Sequence, residues 1–169
     1  RAKHKNGYWV YLEATSNNLI NDPVIKGVVV NFRDITESRV AGEKLRKAAE
    51  IIKFSADAII GVDLDGKIMS WNKGAENIYG YKAEEVMGKL KSILSPRKFF
   101  SESALILGKI RRGGEIYNYE TIRKRKDGSL VNISLTGSPV KNEQGQIIGA
   151  SFVGRDITEK KIIENALKE

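Results

Sequence analysis

The sequence predicts an α+β domain built on an antiparallel sheet, preceded by part of a second sheet of the same kind. Three observations predict it. The tripeptide Asp-Ile-Thr occurs twice, as Asp34-Ile35-Thr36 and Asp156-Ile157-Thr158, each time closing a strand-like pattern and opening a charged helix-forming stretch. Aligning Lys5-Asn6-Gly7 with Lys126-Asp127-Gly128 brings Val10 onto Val131, Thr15 onto Thr136 and Asn21 onto Asn142. After a one-residue gap, Ile25 falls on Ile147, Gly27 on Gly149, and residues 33–37 on 155–159. Matches that keep this order indicate two related modules. Finally, the last strand patterns are joined by tight turns at Asp127-Gly128 and at residues 142–145, which requires antiparallel pairing with the helices gathered on one face.

Taken in order, residues 7–20 and 24–33 read as two strands around the turn signal Asn21-Asp22-Pro23. Their apolar residues Trp9, Val10, Leu12, Val28, Val30 and Phe32 call for a covering layer that two strands cannot supply for themselves. Residues 37–54 are rich in Glu, Lys, Arg and Ala, and Ala41, Leu45, Ala48 and Ile52 follow 4-3-4 spacing on one stripe. That pattern predicts an amphipathic connector helix able to pair with a second copy. Strands at 59–62 and 67–71 flank Asp65-Gly66, a strong hairpin signal. Asn72 suits the N-cap of a short helix, residues 73–79, that Gly80 stops. A helical turn at 83–87, a longer helix at 101–112 ended by Gly113-Gly114, and strands at 115–125, 129–140 and 146–155 complete the order.

Composition narrows the function. With 41% hydrophobic and 30% charged residues the chain has the balance of a water-soluble globular domain, and its longest apolar runs fall far short of the roughly 18–20 residues that span a bilayer. The absence of cysteine excludes disulfides, thiolate metal sites and cysteine nucleophiles, and suits a cytoplasmic location. A net charge of +8 is spread along the chain, so nucleic-acid binding, which gathers basic residues on one face, is not expected. The basic runs Arg111-Arg112 and 123–126 stand beside turn signals and read as solvated strand and helix ends. No Ser/His/Asp, metal-ligand or phosphate-cradling constellation is present, so no catalytic residue and no metal site is expected. His4, flanked by Lys3 and Lys5, reads as a solvated strand-end residue.

The layout with Asp65-Gly66, Trp71-Asn72, Gly80-Tyr81, Glu84-Glu85-Val86-Met87-Gly88, Lys126-Asp127-Gly128 and the closing Asp156-Ile157-Thr158-Glu159 resembles a PAS domain of the S-box type. The resemblance divides the chain into the final strands of a preceding PAS domain (1–37), a connector or signalling helix (38–54), a complete PAS domain (55–159) and the start of an output helix (160–169). It implies a five-stranded antiparallel sheet with short helices on one face, often holding a small molecule between them. It further implies a sensory and dimerisation module, as in multi-PAS sensor histidine kinases of two-component systems. A ligand-free interaction or spacer domain, or the input module of a diguanylate cyclase or transcription regulator, is the alternative. The fragment itself is expected to be non-enzymatic.

The resemblance also tests cofactors. Thiol-linked flavin and thiol-attached chromophores need a cysteine that this chain lacks. Haem-binding relatives draw an axial histidine from the long helix, which here contains none, so haem is disfavoured and the cofactor is left unassigned. The expected pocket residues are Trp71, Tyr79, Tyr81, Met87, Phe99, Phe100, Tyr117 and Tyr119, and strand alternation places Tyr117 and Tyr119 on one face. For signal relay the expectation falls on Asp34, Thr36, Asp156 and Thr158, with the two threonines capping the helices that follow. Expected partners are a second copy of the chain, a small-molecule ligand, and a downstream kinase or other output domain in the same parent.

Overall fold

The computed structural model describes residues 1–167 and divides into two compact units, Arg1–Glu50 and the residues from Ile51 onward. In the first unit, β1 (Ala2–Lys3) pairs with β2 (Trp9–Val10), and β3 (Leu12–Leu19) pairs with β4 (Gly27–Asp34), both antiparallel. The second strand of this hairpin starts at Gly27, later than expected. Asp22 Oδ1 accepts from the amides of Val24 and Ile25, each at 2.9 Å, and Lys26 takes φ 47°, so residues 22–26 form a closed turn. The face carrying Trp9, Val28, Val30 and Phe32 is exposed, as their apolar character without a covering layer implies.

Helix α1 (Thr36–Phe54) carries no buried residue, and the stripe Ala41, Leu45, Ala48 and Ile52 lies open along it. The second unit holds β5 (Ala58–Asp63), β6 (Ile68–Trp71), α2 (Lys73–Tyr79), α3 (Ala83–Val86), α4 (Phe100–Arg111), β7 (Ile116–Lys124), β8 (Leu130–Lys141), β9 (Ile147–Asp156) and α5 (Thr158–Ala166). Two short 3₁₀ turns, Lys91–Leu94 and Arg97–Phe99, lead into α4; no sequence pattern announced them. The five strands form one antiparallel sheet in the order β6-β5-β9-β8-β7.

The core is the inward side of this sheet, with Ala58, Ile60, Val62, Val131, Ile133, Leu135 and Phe152 under Ile78, Tyr79, Val86, Leu94, Ile106 and Ile110. Asn72 begins α2 as its sequence position predicts, accepting from Ala75 N at 2.9 Å, and Gly80 ends it at φ 78°. The repeat is structural as well as sequential. Leu12 pairs with Asp34 and Leu19 with Gly27; at the equivalent positions Ile133 pairs with Asp156 and Val140 with Gly149. Ala2 opposite Val10 likewise corresponds to Arg123 opposite Val131, so β1–β4 reproduce the last three strands of the complete domain.

Candidate functional site

A cavity of about 170 Å³ opens between α4, the first 3₁₀ turn, the β5–β6 hairpin and β9. Val62, Leu90, Phe100, Ala104, Leu107 and Phe152 give it an apolar wall, with Asp65, Gly66, Lys91, Ser92 and Ser103 completing the lining. Local chemistry places each part. Asp63 Oδ1 accepts from the amides of Asp65 and Lys67 at 2.9 and 2.8 Å, which tightens the hairpin turn. Gly66 then takes φ +84° with Leu107 so close that a Cβ would meet Cδ2 at 3.0 Å. The Lys91 amide donates to Gly66 O at 2.9 Å, tying the 3₁₀ turn to the hairpin. Ser95 and Ser103 share a hydrogen bond of 2.6 Å, joining that turn to α4.

Lys91 supplies the positive charge of this cavity and Asp65 the negative one. Lys91 Nζ lies 3.7 Å from the centroid of the Phe152 ring, which is itself buried. Desolvation, with a smaller contribution from the Arg123 guanidinium and partial opposition from Glu102, pushes the Lys91 pKa down to about 7. Behind the wall, Arg123 is 2% exposed; its Nη2 donates to Glu102 Oε1 at 3.0 Å and its Nη1 to Thr121 Oγ1 at 2.8 Å. The reading of residues 123–126 as a solvated basic run is therefore corrected at Arg123: β7 alternation turns it inward, where Glu102 on α4 meets it.

Of the eight residues expected to line a pocket, the structure brings Phe100 to this cavity. Tyr79 is core, its hydroxyl pKa pushed up to about 12 by burial, and its ring packs on Trp71 at 5.6 Å. Trp71 Nε1 donates to Tyr81 O at 3.1 Å, fixing both at the edge of the core. Met87 is largely exposed, and Phe99 and Tyr119 border a separate open hollow beside α4. Tyr117 and Tyr119 do not share a face. Asn118 takes φ 47° and the β7–β8 register shifts between Ile116 and Tyr119, so this bulge turns Tyr119 toward Glu102 while Tyr117 bonds Glu115. Lys91, Ser92 and Phe152 were not anticipated; their only local signal is a lysine set in the apolar run Leu90, Ile93, Leu94.

The two Asp-Ile-Thr segments have the same geometry. Asp156 Oδ1 accepts from the Thr158 amide at 2.8 Å, and Ile157 N donates to Asn132 O at 2.9 Å. Asp34 Oδ1 accepts from the Thr36 amide at 2.9 Å, and Ile35 N donates to Tyr11 O at 2.9 Å. The capping role expected of the threonines is thus corrected. The aspartates accept from the helix-entry amides, while Thr158 Oγ1 accepts from Asn132 N at 3.1 Å and Thr36 Oγ1 from Tyr11 N at 2.8 Å. Each threonine has already entered its helix, so its hydroxyl faces back to the backbone of Tyr11, between β2 and β3, or of Asn132 on β8, and staples it to the helix.

In the complete domain Asp156 Oδ2 also receives Arg125 Nη2 at 2.9 Å, and Arg125 Nη1 reaches Ile78 O at 2.5 Å. Partial burial opposes ionisation of Asp156, but the bonds from Thr158 and then Arg125 outweigh it and hold the carboxyl below its ordinary range. A depressed folded pKa makes the ionised form the stabilising one. Asp156→Ala is accordingly expected to cost on the order of 1 kcal/mol at neutral pH. In urea titrations the wild-type advantage should be complete above the ordinary aspartate pKa and vanish as pH falls through the lower folded value. An undiminished difference at pH 2 contradicts this assignment.

A five-stranded antiparallel sheet roofed by short helices over a small cavity defines an α+β architecture. Residues 56–159 match the model of the PAS domain family, and the chain belongs to that family. Phytochrome B of Arabidopsis thaliana is 29% identical over 158 residues, covering 88% of this chain and 13% of its own. The signal transduction histidine-protein kinase AtoS of Escherichia coli (strain K12) is 31% identical over 112 residues, covering 66% of this chain and 18% of its own. A crystal structure of the PAS domain of a protein from Colwellia psychrerythraea superposes with TM-score 0.64 at 30% identity, covering 69% of this chain and 98% of that one. The chain therefore spans only a small part of the length of these curated relatives. No helix among the described residues is long and apolar enough to cross a membrane.

Proposed function

We propose that the complete domain is the sensory input module of a signal-transduction protein, with a sensor histidine kinase the parent its relatives favour. One observation carries the reading: Phe152 walls the cavity on β9, and four residues further along the same strand Asp156 holds the entry to α5. A change in occupancy that moves Phe152 has a direct covalent path to the Asp156–Thr158 joint and so to the helix that follows. A joint bond of on the order of 1 kcal/mol is enough to bias a two-state equilibrium several-fold. Mass spectrometry of purified, denatured protein tests the sensing role. A stoichiometric small molecule co-purifying with the wild type supports it; a chain whose cavity neither retains nor accepts any small molecule favours a ligand-free interaction domain instead.

The exposed stripe Ala41, Leu45, Ala48 and Ile52 on α1 supports a homodimer through paired connector helices. Light scattering at micromolar concentration is expected to give twice the chain mass, with Leu45→Glu shifting it to the monomer; a monomeric wild type overturns the dimer.

A further inference from the structure

A partly buried lysine on an apolar cavity with no counter-ion is stabilised by an anion that pairs with it. Among the described residues Lys91 Nζ has no hydrogen-bond acceptor and no ion pair, and its near neighbour is the face of Phe152. The closest acid behind it is already committed. Glu102 Oε1 takes Arg123 Nη2 at 3.0 Å and Thr121 Oγ1 at 2.7 Å, and its Oε2 receives Tyr119 OH at 3.4 Å. Asp65 stands on the exposed hairpin turn at the rim, and no bond joins it to Lys91. Lys91 and Arg123 balance Glu102 and Asp65 in formal charge, but neither acid bonds Lys91 Nζ.

We propose that the cavity binds a small monocarboxylate with an apolar body, its carboxylate paired with Lys91 Nζ and its hydrocarbon part against Val62, Leu107 and Phe152. The proposal rests on the sensing role and names the chemistry of what is sensed. Size agrees: a dry apolar cavity of about 150 Å³ accepts benzene, and the present one, at about 170 Å³, adds a polar end at Lys91. The position of Ser92 in the lining offers a further hydroxyl donor to a carboxylate. Arg123 adds a favourable field to an anion here, while Glu102 and the rim carboxylate of Asp65 disfavour a dianion, which limits the ligand to a single negative charge.

Calorimetric titration of the whole chain with benzoate, hexanoate and benzamide at pH 6.5 and 8.5 tests this. At pH 6.5 at least one of the two acids should bind about tenfold or more tightly than the uncharged amide. Because a lysine titrating near pH 7 is largely neutral at pH 8.5, the acid should bind about tenfold or more weakly there. Lys91→Met, which removes a half-buried charge and is expected to melt no lower than the wild type, should abolish the preference for acid over amide, and Lys91→Arg should restore it. Binding of both acids no tighter than that of benzamide, or an acid preference that survives in Lys91→Met, overturns the carboxylate assignment and leaves ligand sensing standing. Failure of all three probes also overturns it; the sensing role then falls only if the denatured protein releases no co-purified molecule either.

Discussion

Glu102→Met is expected to destabilise the complete domain by about 3–5 kcal/mol, because it strands a buried guanidinium. Arg123 is 2% exposed and cannot turn to water, so after the substitution it keeps only Thr121 Oγ1 and Ile122 O as acceptors. Lys91 lies close enough to add like-charge repulsion. The converse variant, Arg123→Met, should cost less: the Glu102 side chain is 19% exposed and can reach solvent once its partner is gone. The double variant, with two apolar side chains in place of the pair, should recover most of the loss, since a buried pair is weak evidence for net stability whereas a broken one is expensive. Urea denaturation of the three variants checks the order. A Glu102→Met that unfolds at the wild-type midpoint contradicts the account of Arg123.

Asn72→Ala should cost about 3–4 kcal/mol, counted from four bonds at roughly 1 kcal/mol each. The Oδ1 atom accepts from Ala75 N and from Ile59 N, both at 2.9 Å, so one side chain caps α2 and anchors β5. The Nδ2 atom donates to Ile52 O at 2.9 Å and Asp57 O at 3.0 Å. This corner has no slack for water to replace those bonds: a Cβ on neighbouring Gly74 would stand 2.2 Å from Asp57 O. Asn72→Asp preserves both acceptor bonds but sets a carboxylate against two carbonyls, so it should rescue little of the loss. Thermal or urea unfolding of Asn72→Ala and Asn72→Asp reads the effect, and a loss for Asn72→Ala no larger than that of an ordinary exposed cap would refute it.

Much of the fold was legible because its signals are local. Asn72 and Gly80 bound α2 through bonds within a single helical turn, and Gly66 and Gly128 fill positive-φ turn positions that other residues resist. The repeat supplied register as well, since Leu12 opposite Asp34 reproduces Ile133 opposite Asp156. The cavity was not legible. Lys91, Leu107 and Phe152 are distant in sequence and meet only after the sheet is roofed, and aromatic size misled because Tyr79 and Trp71 are needed for close packing rather than for a lining. Arg123 hid within a basic run, its burial decided by a partner on another element. The threonine of each Asp-Ile-Thr looked like a cap because cap statistics are local, whereas its hydroxyl is taken by the backbone of Tyr11 or Asn132.

The proposed function requires occupancy of the cavity to be felt at the Asp156–Thr158 joint through β9. Amide hydrogen exchange of Thr158, followed by NMR with and without saturating benzoate, tests it most directly. Benzoate, bound as judged by shifts at Lys91 and Phe152, is expected to change the Thr158 exchange rate by about tenfold, the equivalent of about 1.4 kcal/mol at the joint. Benzoate bound in the cavity with the Thr158 rate unaltered would contradict it.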